Sequence, residues 1–249
     1  MAQSRIRALG ERAYRVRRIA STFGRIYLGI KAHQVLARHI EPDEMQRRWQ
    51  RFNRRSAEAI FDTAVELRGL VLKGCQFIGS RSDVLPPEYT EVLSRLQDRV
   101  PPRPFAEIRS VAEHELGMPL EEAFSHFSEK SVASASLAQV HEARLHNGRR
   151  VAVKVQYPEI RKLVRSDLSN LGALFRAVGF FERNFNLAPL IDELGKHMPK
   201  ELDFCNEAMN AERVAKFFEG RRDLAVPRVH WELTTTRVLV SDFVDGIKI

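Results

Sequence analysis

A short strand with a single lysine is the first candidate for chemistry in this sequence. Residues 151–155 alternate Val, Ala, Val, Lys and Val, so a β-strand would turn the three valines to one face and Ala152 and Lys154 to the other. A small residue beside a lysine suits a flat base and a phosphate. Edge strands also carry exposed lysines that oppose aggregation, and the strand taken alone favours that simpler explanation.

The segment before this strand favours a nucleotide site. Protein kinases cover phosphates with a loop of pattern G-x-G-x-x-G-x-V. The same spacing here has alanine at each glycine position and valine at the expected offset, in the run Ala133, Ser134, Ala135, Ser136, Leu137, Ala138, Gln139 and Val140. Alanine gives up easy access to positive φ, which predicts a stiffer loop. Simple packing of an alanine-rich hairpin is the alternative.

A kinase-type lysine also needs a carboxylate partner on a nearby helix. If residues 201–207 are helical, Asp203 and Glu207 share one face. That face would continue toward the core through Ala211, Val214 and Phe218. Two carboxylates so close repel each other unless a cation joins them, and Lys154 is a candidate for that cation. A solvated acidic face is the alternative.

The elements that would position these residues are a helical first half and a small sheet late in the chain. Helical periodicity predicts five helical segments: 42–79, 88–98, 105–126, 159–183 and 189–219. Gly117-Met118-Pro119 predicts a break inside the third. Strands are predicted at 139–146, 150–157, 228–232 and 237–244. Asn147-Gly148 joins the first two strands and is a strong hairpin signal. The pattern predicts an α+β chain.

The excess positive charge lies in the first 55 residues, which hold 14 Lys and Arg against 4 Asp and Glu, whereas the whole chain carries +8. Apolar residues there repeat every seven positions and predict one stripe on a helix: Leu9, Val16, Phe23 and Ile30, flanked by Ile6, Ala13, Ala20 and Tyr27. Five arginines lie elsewhere around it: Arg5, Arg12, Arg15, Arg18 and Arg25.

Two interpretations of this basic helix stay open. It either packs on the rest of the protein with a solvated basic face, or contacts an anionic membrane surface. Nucleic acid is not expected, because no aromatic platform or recognition motif accompanies the charge. The arginine-rich start also leaves organelle targeting open, although serines are few.

Composition narrows the protein class further. The chain has 249 residues, 44% of them apolar, but no apolar run near the roughly 20 residues of a membrane-spanning helix. Its two cysteines, Cys75 and Cys205, have no metal-type spacing and cannot form a disulfide framework. Because there is no secretory signal, we expect a reducing, cytoplasmic location. Peripheral contact with a membrane is the alternative.

These motifs together resemble the UbiB family, the aarF-domain (ADCK) atypical kinase-like proteins of coenzyme Q biology. The resemblance covers about residues 15–249 and rests on five features: an N-terminal signature at 73–76, 80–86 and 96–102, the alanine-rich loop, an E-x-D motif at Glu201 and Asp203, Glu207, and a closing stretch at 238–246 similar to the last strand and hinge of a kinase N-lobe.

The resemblance implies a protein-kinase-like N-lobe at 127–249 behind a helical extension at 56–126 and a basic helical segment at 1–55. It implies ATP, Mg-dependent in relatives, bound by Ala133, Ser134, Ala135, Ser136, Ala138, Val140, Ala152, Lys154 and Glu207. Lys73 and Gln76 would fold over this site as an inhibitory cover, held in part by Glu201 and Asp203. The implied role is support of isoprenoid-quinone (ubiquinone) synthesis.

Two departures limit that expectation. Cys75 stands where the family pattern K-x-G-Q has glycine. No H-x-D…N or D-F-G arrangement follows the hinge, so a C-lobe with the catalytic and metal-binding residues is expected to be absent. We therefore assign no catalytic or metal-binding residue and expect a non-catalytic chain, with a separate C-lobe polypeptide as one candidate partner. A membrane- or partner-binding module built on the basic helix is the alternative function.

Overall fold

The computed structural model describes residues 2–80, 83, 85–97, 101–181, 188–221 and 223–246. Within its helices, the side chains of residues 2–9, 174, 175, 177–181 and 188–191 are not described. Predictions for Arg5, Ile6, Leu9 and parts of the signature at 81, 82, 84 and 98–100 therefore lie outside the described residues. The chain divides into two compact units, Met1–Val100 with Leu163–Ile191, and Pro101–Lys162 with Asp192–Ile249.

The first unit is helical. Its first four helices are α1 (Ala2–Leu36), α2 (Pro42–Leu67), α3 (Gly69–Gly79) and α4 (Pro87–Ser94), and a 3-10 turn (Arg95–Gln97) follows. Apolar side chains from the last three helices and this turn form its core: Ala57, Phe61, Ala64, Leu72, Val92, Leu93 and Leu96. Helical periodicity predicted these segments because each presents one apolar stripe to this core.

The single helix predicted at 42–79 is wrong, because it breaks between α2 and α3. Arg68 has φ 55° and ψ −160°, and Gly69 follows with φ 58°. A non-glycine residue in this region is strained. Gly69 marks this break in the sequence, because glycine takes positive φ without strain, but helical periodicity on both sides carried the prediction through it.

The apolar stripe predicted for the basic helix is not the most buried face of α1 among the side chains that the structure describes. Val16 is 42% exposed, and Ala13 and Ala20 are exposed as well. Among the described side chains of α1, the buried ones are Arg15, Thr22 and the apolar Ile19. Polar pairing explains the choice, since the Thr22 hydroxyl lies 2.9 Å from that of Thr63 on α2.

The second unit contains the sheet. Helices α5 (Phe105–Leu116) and α6 (Leu120–Ala123) precede strands β1 (His126–Ser134), β2 (Ala138–Arg144) and β3 (Arg150–Gln156). Helix α7 (Ile160–Phe181) leads into the first unit, α8 (Ala188–Glu201) leads back, and α9 (Phe204–Phe217) precedes β4 (Val238–Asp242). All neighbouring strands are antiparallel in the order β1-β2-β3-β4. The predicted α+β fold is confirmed.

The hairpin between β2 and β3 is confirmed, although its loop has three residues. Gly148 donates its N–H to the Leu145 carbonyl at 2.9 Å, and Leu145 donates to the Arg149 carbonyl at 2.9 Å. Gly148 takes φ 81°. This is the pattern of a turn closed by a glycine in the left-handed region, which explains why glycine stands at this position.

The strand predicted at 228–232 is wrong. It is reduced to one isolated bridge, Val229 to Ser241, and residues 231–233 form a 3-10 turn. The helix predicted at 189–219 likewise ends and restarts at Leu202 and Asp203, giving α8 and α9. Strand β1 was not predicted, because its mostly exposed face and its register irregularities hide the alternation.

Candidate nucleotide site

One transverse row of the sheet contains the lysine and the first alanine of the loop. Ala133 lies opposite Val140, Val140 opposite Lys154, and Lys154 opposite Leu239. Residues directly opposite in neighbouring strands share a face. Ala152 lies on this same face, one row along the sheet. The register predicted between the loop and the lysine strand is therefore present.

The opposite face of the sheet is buried. Val151, Val153 and Val155 are each 0% exposed, and α5 packs against β3 and β4. The predicted alternation along β3 is confirmed. Burial of the valines fixes which side Lys154 occupies, because a register slip of one residue would exchange the faces.

Lys154 contacts the carboxylate of Glu207 on α9. Its Nζ donates to Oε1 at 2.7 Å and to Oε2 at 2.6 Å, and lies 4.8 Å from the centre of the Phe204 ring. The Lys154 side chain is 28% exposed and that of Glu207 48%. Because an ion pair this open contributes only about 0–1 kcal/mol, its main effect is to orient the ammonium group.

Helix α9 reaches the sheet through its first two turns. Asp203 caps it by accepting the Cys205 N–H at 3.0 Å. The pKa of the Cys205 thiol is raised, mainly by burial and also by the nearby Asp203 carboxylate. Phe204 and Ala208 are buried with residues of the sheet side. The predicted inward continuation is wrong at Val214, which is 45% exposed, because the helix diverges from the core after its second turn.

The alanine-rich loop turns tightly between β1 and β2. Ala135 donates its N–H to the Ala138 carbonyl at 2.8 Å. In the part of the chain that the structure describes, the non-glycine residues with positive φ are Arg68 and Glu159, so the loop contains none. The conformation is therefore one that alanine allows without strain, and the stiffness of the loop stays a prediction.

Tyr157 ties this loop to the end of β3. Its N–H donates to the Leu137 carbonyl at 3.0 Å, and its hydroxyl lies 2.8 Å from that of Ser134. Tyr157 itself is 1% exposed. Sequence reasoning did not single it out, although a tyrosine so close after the lysine strand is a signal that could have been used.

Arg150 organises the stretch after β4. It donates to Glu142 at 2.8 Å and to Asp245 at 2.8 Å, and its guanidinium lies 4.5 Å from the Phe243 ring centre. Hydrogen bonding to Arg150 lowers the pKa of Glu142. The sequence did not indicate this role for Arg150, because an arginine beside a hairpin is typical of ordinary surface charge.

Comparison with known proteins places this geometry in a family. The sequence model of the ABC1 atypical kinase-like domain matches residues 95–249. The chain belongs to the ABC1 atypical kinase-like family. The mouse AarF domain-containing protein kinase 1 is 41% identical over 202 residues, which are 81% of this chain and 38% of that protein. The frog protein of the same name, from Xenopus tropicalis, is 40% identical over 77% of this chain and 37% of its own length.

Two further relatives extend this likeness. The Arabidopsis thaliana protein ACTIVITY OF BC1 COMPLEX KINASE 7, chloroplastic, is 36% identical over 79% of this chain and 28% of its own length. Among solved structures, the complex of Rv3197 with erythromycin from Mycobacterium tuberculosis matches 83% of this chain and 52% of that one, with 29% identity and a TM-score of 0.53. The chain thus spans less than half the length of these curated relatives.

The residues on the lysine face fit the nucleotide that an ABC1 kinase-like fold implies. Lys154 supplies an ammonium group, and Ala133 and Ala152 leave room beside it. The two serines predicted to bind the nucleotide are placed differently: the Ser134 hydroxyl lies 2.8 Å from that of Tyr157, away from the lysine face, and Ser136 is 5% exposed. Across the described segments, no group of three or more His, Cys, Asp or Glu residues lies close enough together to hold a metal ion.

The residues predicted to cover the site lie in different units. Lys73 and Gln76 are on α3 in the first unit, and Glu201 and Asp203 flank the start of α9 in the second. Gln76 donates its amide to the Leu96 carbonyl at 2.9 Å within its own unit. The contact predicted between the two sets stays a prediction.

Cys75, where the family pattern has glycine, packs against the apolar core of the first unit. Burial raises the pKa of its thiol to about 12, so the thiol is protonated at neutral pH. The side chain therefore acts as a small apolar group on the core face of α3.

Proposed function

We propose that this chain is the nucleotide-binding part of an ABC1-family atypical kinase-like protein and that its ligand is ATP. The observation that carries this proposal is the two-oxygen contact of Lys154 with Glu207 on the same face as Ala152 and the alanine-rich loop. Kinase folds use such a lysine and helix glutamate to hold the phosphates.

In this proposal each group has a physical task. Glu207 orients the Lys154 ammonium, which neutralises phosphate charge. Backbone N–H groups of the loop donate to phosphate oxygens, and the absence of large side chains at Ala133, Ala135 and Ala138 lets the backbone approach. Ala152 and Val140 offer an apolar surface to the base.

Phosphoryl transfer would need metal-binding carboxylates and a residue that orients the nucleophile. We assign neither to residues 1–249 and propose that this chain by itself binds without transferring. In the whole protein these groups would come from another part of the kinase fold, on the same or on a separate polypeptide.

The test is binding of Mg-ATP to the purified chain. A ligand at one hundred times its dissociation constant adds about 2.7 kcal/mol to the free energy of unfolding, so thermal unfolding shifts upward in the wild type. Lys154→Ala should abolish that shift. Lys162→Ala is the matched control, because Lys162 is 82% exposed and pairs only with its neighbour Glu159 in the contacts described. Equal shifts in both variants would refute the assignment.

We propose isoprenoid-quinone synthesis as the physiological setting, in the cytoplasm or in an organelle, because the family resemblance links such proteins to it. The expected outcome is a lowered quinone content in cells whose own copy of the gene carries Lys154→Ala. An unchanged content beside a confirmed loss of ATP binding would remove this setting without touching the nucleotide site.

A second candidate function is favoured by the outer surface of α1. Leu28 is 67% exposed and Val35 61%, Arg17 and Arg25 are also exposed, and Glu11 is the one acidic residue in the helix. Basic and apolar side chains together favour the surface of an anionic membrane. No helix among the described residues is long and apolar enough to span a bilayer, so the contact would be peripheral.

Liposome flotation tests this candidate. Vesicles with anionic lipid should retain the wild type and lose the double variant Arg17→Glu, Arg25→Glu. The double variant Arg213→Glu, Lys216→Glu, which changes two exposed basic residues on α9, controls for net charge. Arg15 is unsuitable for this test because it is buried. Retention of the double variant would rule out the membrane contact.

A further inference from the structure

The end of β3 is joined to the start of α9 by a buried amide. Gln156 is 0% exposed and lies two residues after Lys154, on the same face of the strand. Its Nε2 donates to the carbonyl of Leu202 at 2.8 Å and to that of Thr236 at 3.2 Å. Leu202 directly precedes the cap of α9, and Thr236 lies just before β4.

Arg161 binds the same two carbonyls from the first turn of α7. Its Nη2 donates to the Leu202 oxygen at 2.9 Å and to the Thr236 oxygen at 3.3 Å. The Thr236 oxygen also accepts the backbone N–H of Phe204 at 3.1 Å. Three chain segments therefore meet at two carbonyl oxygens.

The polar groups of this junction lower the stability of the fold more than apolar side chains in the same place would. Within the described residues, Gln156 Oε1 and Arg161 Nε are buried without a hydrogen-bond partner. A buried polar group without a partner costs about 1–3 kcal/mol, and apolar side chains of similar size would avoid that cost. Polar groups at this point instead fix direction and distance, because hydrogen bonds weaken steeply when they are misaligned.

We infer that Gln156 and Arg161 are positioning residues that hold the start of α9 against β3 and thereby set Glu207 on Lys154. Glu207 is in the first turns of α9, five residues beyond Leu202, and the helix transmits a displacement of its start as a rigid body. Without the junction, the packing of Phe204 and Ala208 still holds α9 near the sheet, but the angle and register of the helix are free to vary.

The consequence for ATP rests on the proposed function, whereas the geometry does not. The first experiment therefore needs no nucleotide. A zero-length carbodiimide activates carboxylates and joins them to a lysine amine in direct contact, and both Lys154 and Glu207 are exposed enough to react. The yield of the Lys154–Glu207 crosslink, measured by peptide mass spectrometry, reports how often the two groups meet. The Lys162–Glu159 pair, 3.2 Å apart, is the internal reference.

Gln156→Met and Arg161→Met should each lower the crosslink yield at least about threefold relative to that reference, in samples shown to be folded by thermal unfolding. Gln139→Met is the matched control, since Gln139 is 1% exposed and bonded but lies on the opposite face of β2. If a methionine variant fails to fold, Arg161→Lys replaces it. Unchanged yields in folded variants at both positions overturn the inference.

A second arm uses Mg-ATP affinity. If the two residues act through Glu207, Arg161→Met weakens binding about fivefold or more in the wild type and causes little further loss in a Glu207→Gln background, which is the non-additivity of groups acting as a unit. Additive losses contradict positioning. Failure of the wild type to bind Mg-ATP would refute the proposed function and leave the crosslinking result to decide this inference.

Discussion

Arg15 is a basic side chain that is built into the interior of its unit. Its Nε donates to Asp167 Oδ1 at 2.9 Å, and its Nη1 donates to the Leu67 carbonyl at the end of α2 at 2.5 Å. The side chains of Arg15 and Asp167 are 6% and 0% exposed. Burial raises the pKa of Asp167 and the arginine opposes that shift, so the carboxylate depends on Arg15 to stay charged.

We predict that removing this arginine is among the most destabilising single changes in the unit. Arg15→Ala leaves a buried carboxylate without its partner, which costs about 3–5 kcal/mol. Arg17→Ala, on the exposed side of the same helix, should stay within about 0.5 kcal/mol of the wild type. Urea unfolding followed by Trp49 fluorescence in a Trp231→Phe background measures both. A similar small effect for both arginines would contradict a buried pair.

At this scale, local spacing and long-range partners differ in what sequence reveals. The contact of Lys154 with Glu207 is present as predicted. It could be predicted because motif register and family resemblance together connected positions far apart. Its role in binding stays a prediction. Arg15 was counted with the surface charge, since its partner Asp167 is 152 residues away and no periodicity connects the two. Gln156 was missed for a related reason: its acceptors are backbone carbonyls 46 and 80 residues away, which no sequence pattern reveals.

At the scale of elements, β2 links β1 to the segment before α5 through its buried face. The backbone N–H of Arg103 donates to Gln139 Oε1 at 2.8 Å, and Gln139 Nε2 donates to His141 Nε2 at 3.1 Å. His141 Nδ1 then donates to the Ser128 carbonyl at 2.8 Å. This arrangement uses one nitrogen of the ring as an acceptor, and protonation would destroy it.

The second unit should therefore lose stability in mild acid. Burial lowers the pKa of His141 below 6.5, so the unfolded chain binds a proton more readily than the folded one. Stability is then complete above pH 6.5 and falls as the pH decreases from 6.5 toward the folded pKa. Urea midpoints from Trp231 fluorescence in a Trp49→Phe background should drop between pH 7.5 and 5.5.

Two histidine variants test whether His141 causes this loss of stability with falling pH. His141→Asn should flatten the pH dependence, whereas His146→Asn, which alters an exposed histidine, should leave it in place. A wild-type slope that survives in His141→Asn would show that another group is responsible.

Elements were predictable where one strong pattern extends along them. The hairpin of β2 and β3 has alternating valines and a glycine turn, and α5 has a clear apolar stripe and a glycine end with φ 72° at Gly117. The breaks at Arg68 and Leu202 were missed although Gly69 and Pro199 lie beside them, because the helical periodicity on both sides was given more weight than a single glycine or proline. Strand β1 escaped because an exposed, irregular edge strand has no apolar alternation.

At the scale of the whole molecule, the inhibitory cover implied by the family resemblance is the prediction with the widest consequence. Its residues Lys73 and Gln76 belong to the first unit, and the lysine face belongs to the second. The domain boundaries suggested by sequence, near 55 and 126, remain a prediction and differ from this division, because α7 and α8 return the chain to the first unit. An inhibitory cover has a thermodynamic consequence, since whatever competes with the nucleotide lowers its apparent affinity.

We therefore predict that Lys73→Ala tightens Mg-ATP binding by about fivefold or more, the lower range of typical coupling between sites. Arg55→Ala, which changes an exposed basic residue of the same unit, is the control and should leave the affinity unchanged.

Amide exchange adds an independent measurement: in the wild type, Mg-ATP should change exchange in α3 as well as in the alanine-rich loop, while α4 stays constant. Weaker binding by Lys73→Ala would make the lysine a nucleotide ligand instead of a cover. Unchanged affinity together with exchange changes confined to the second unit would separate the first unit from the site altogether.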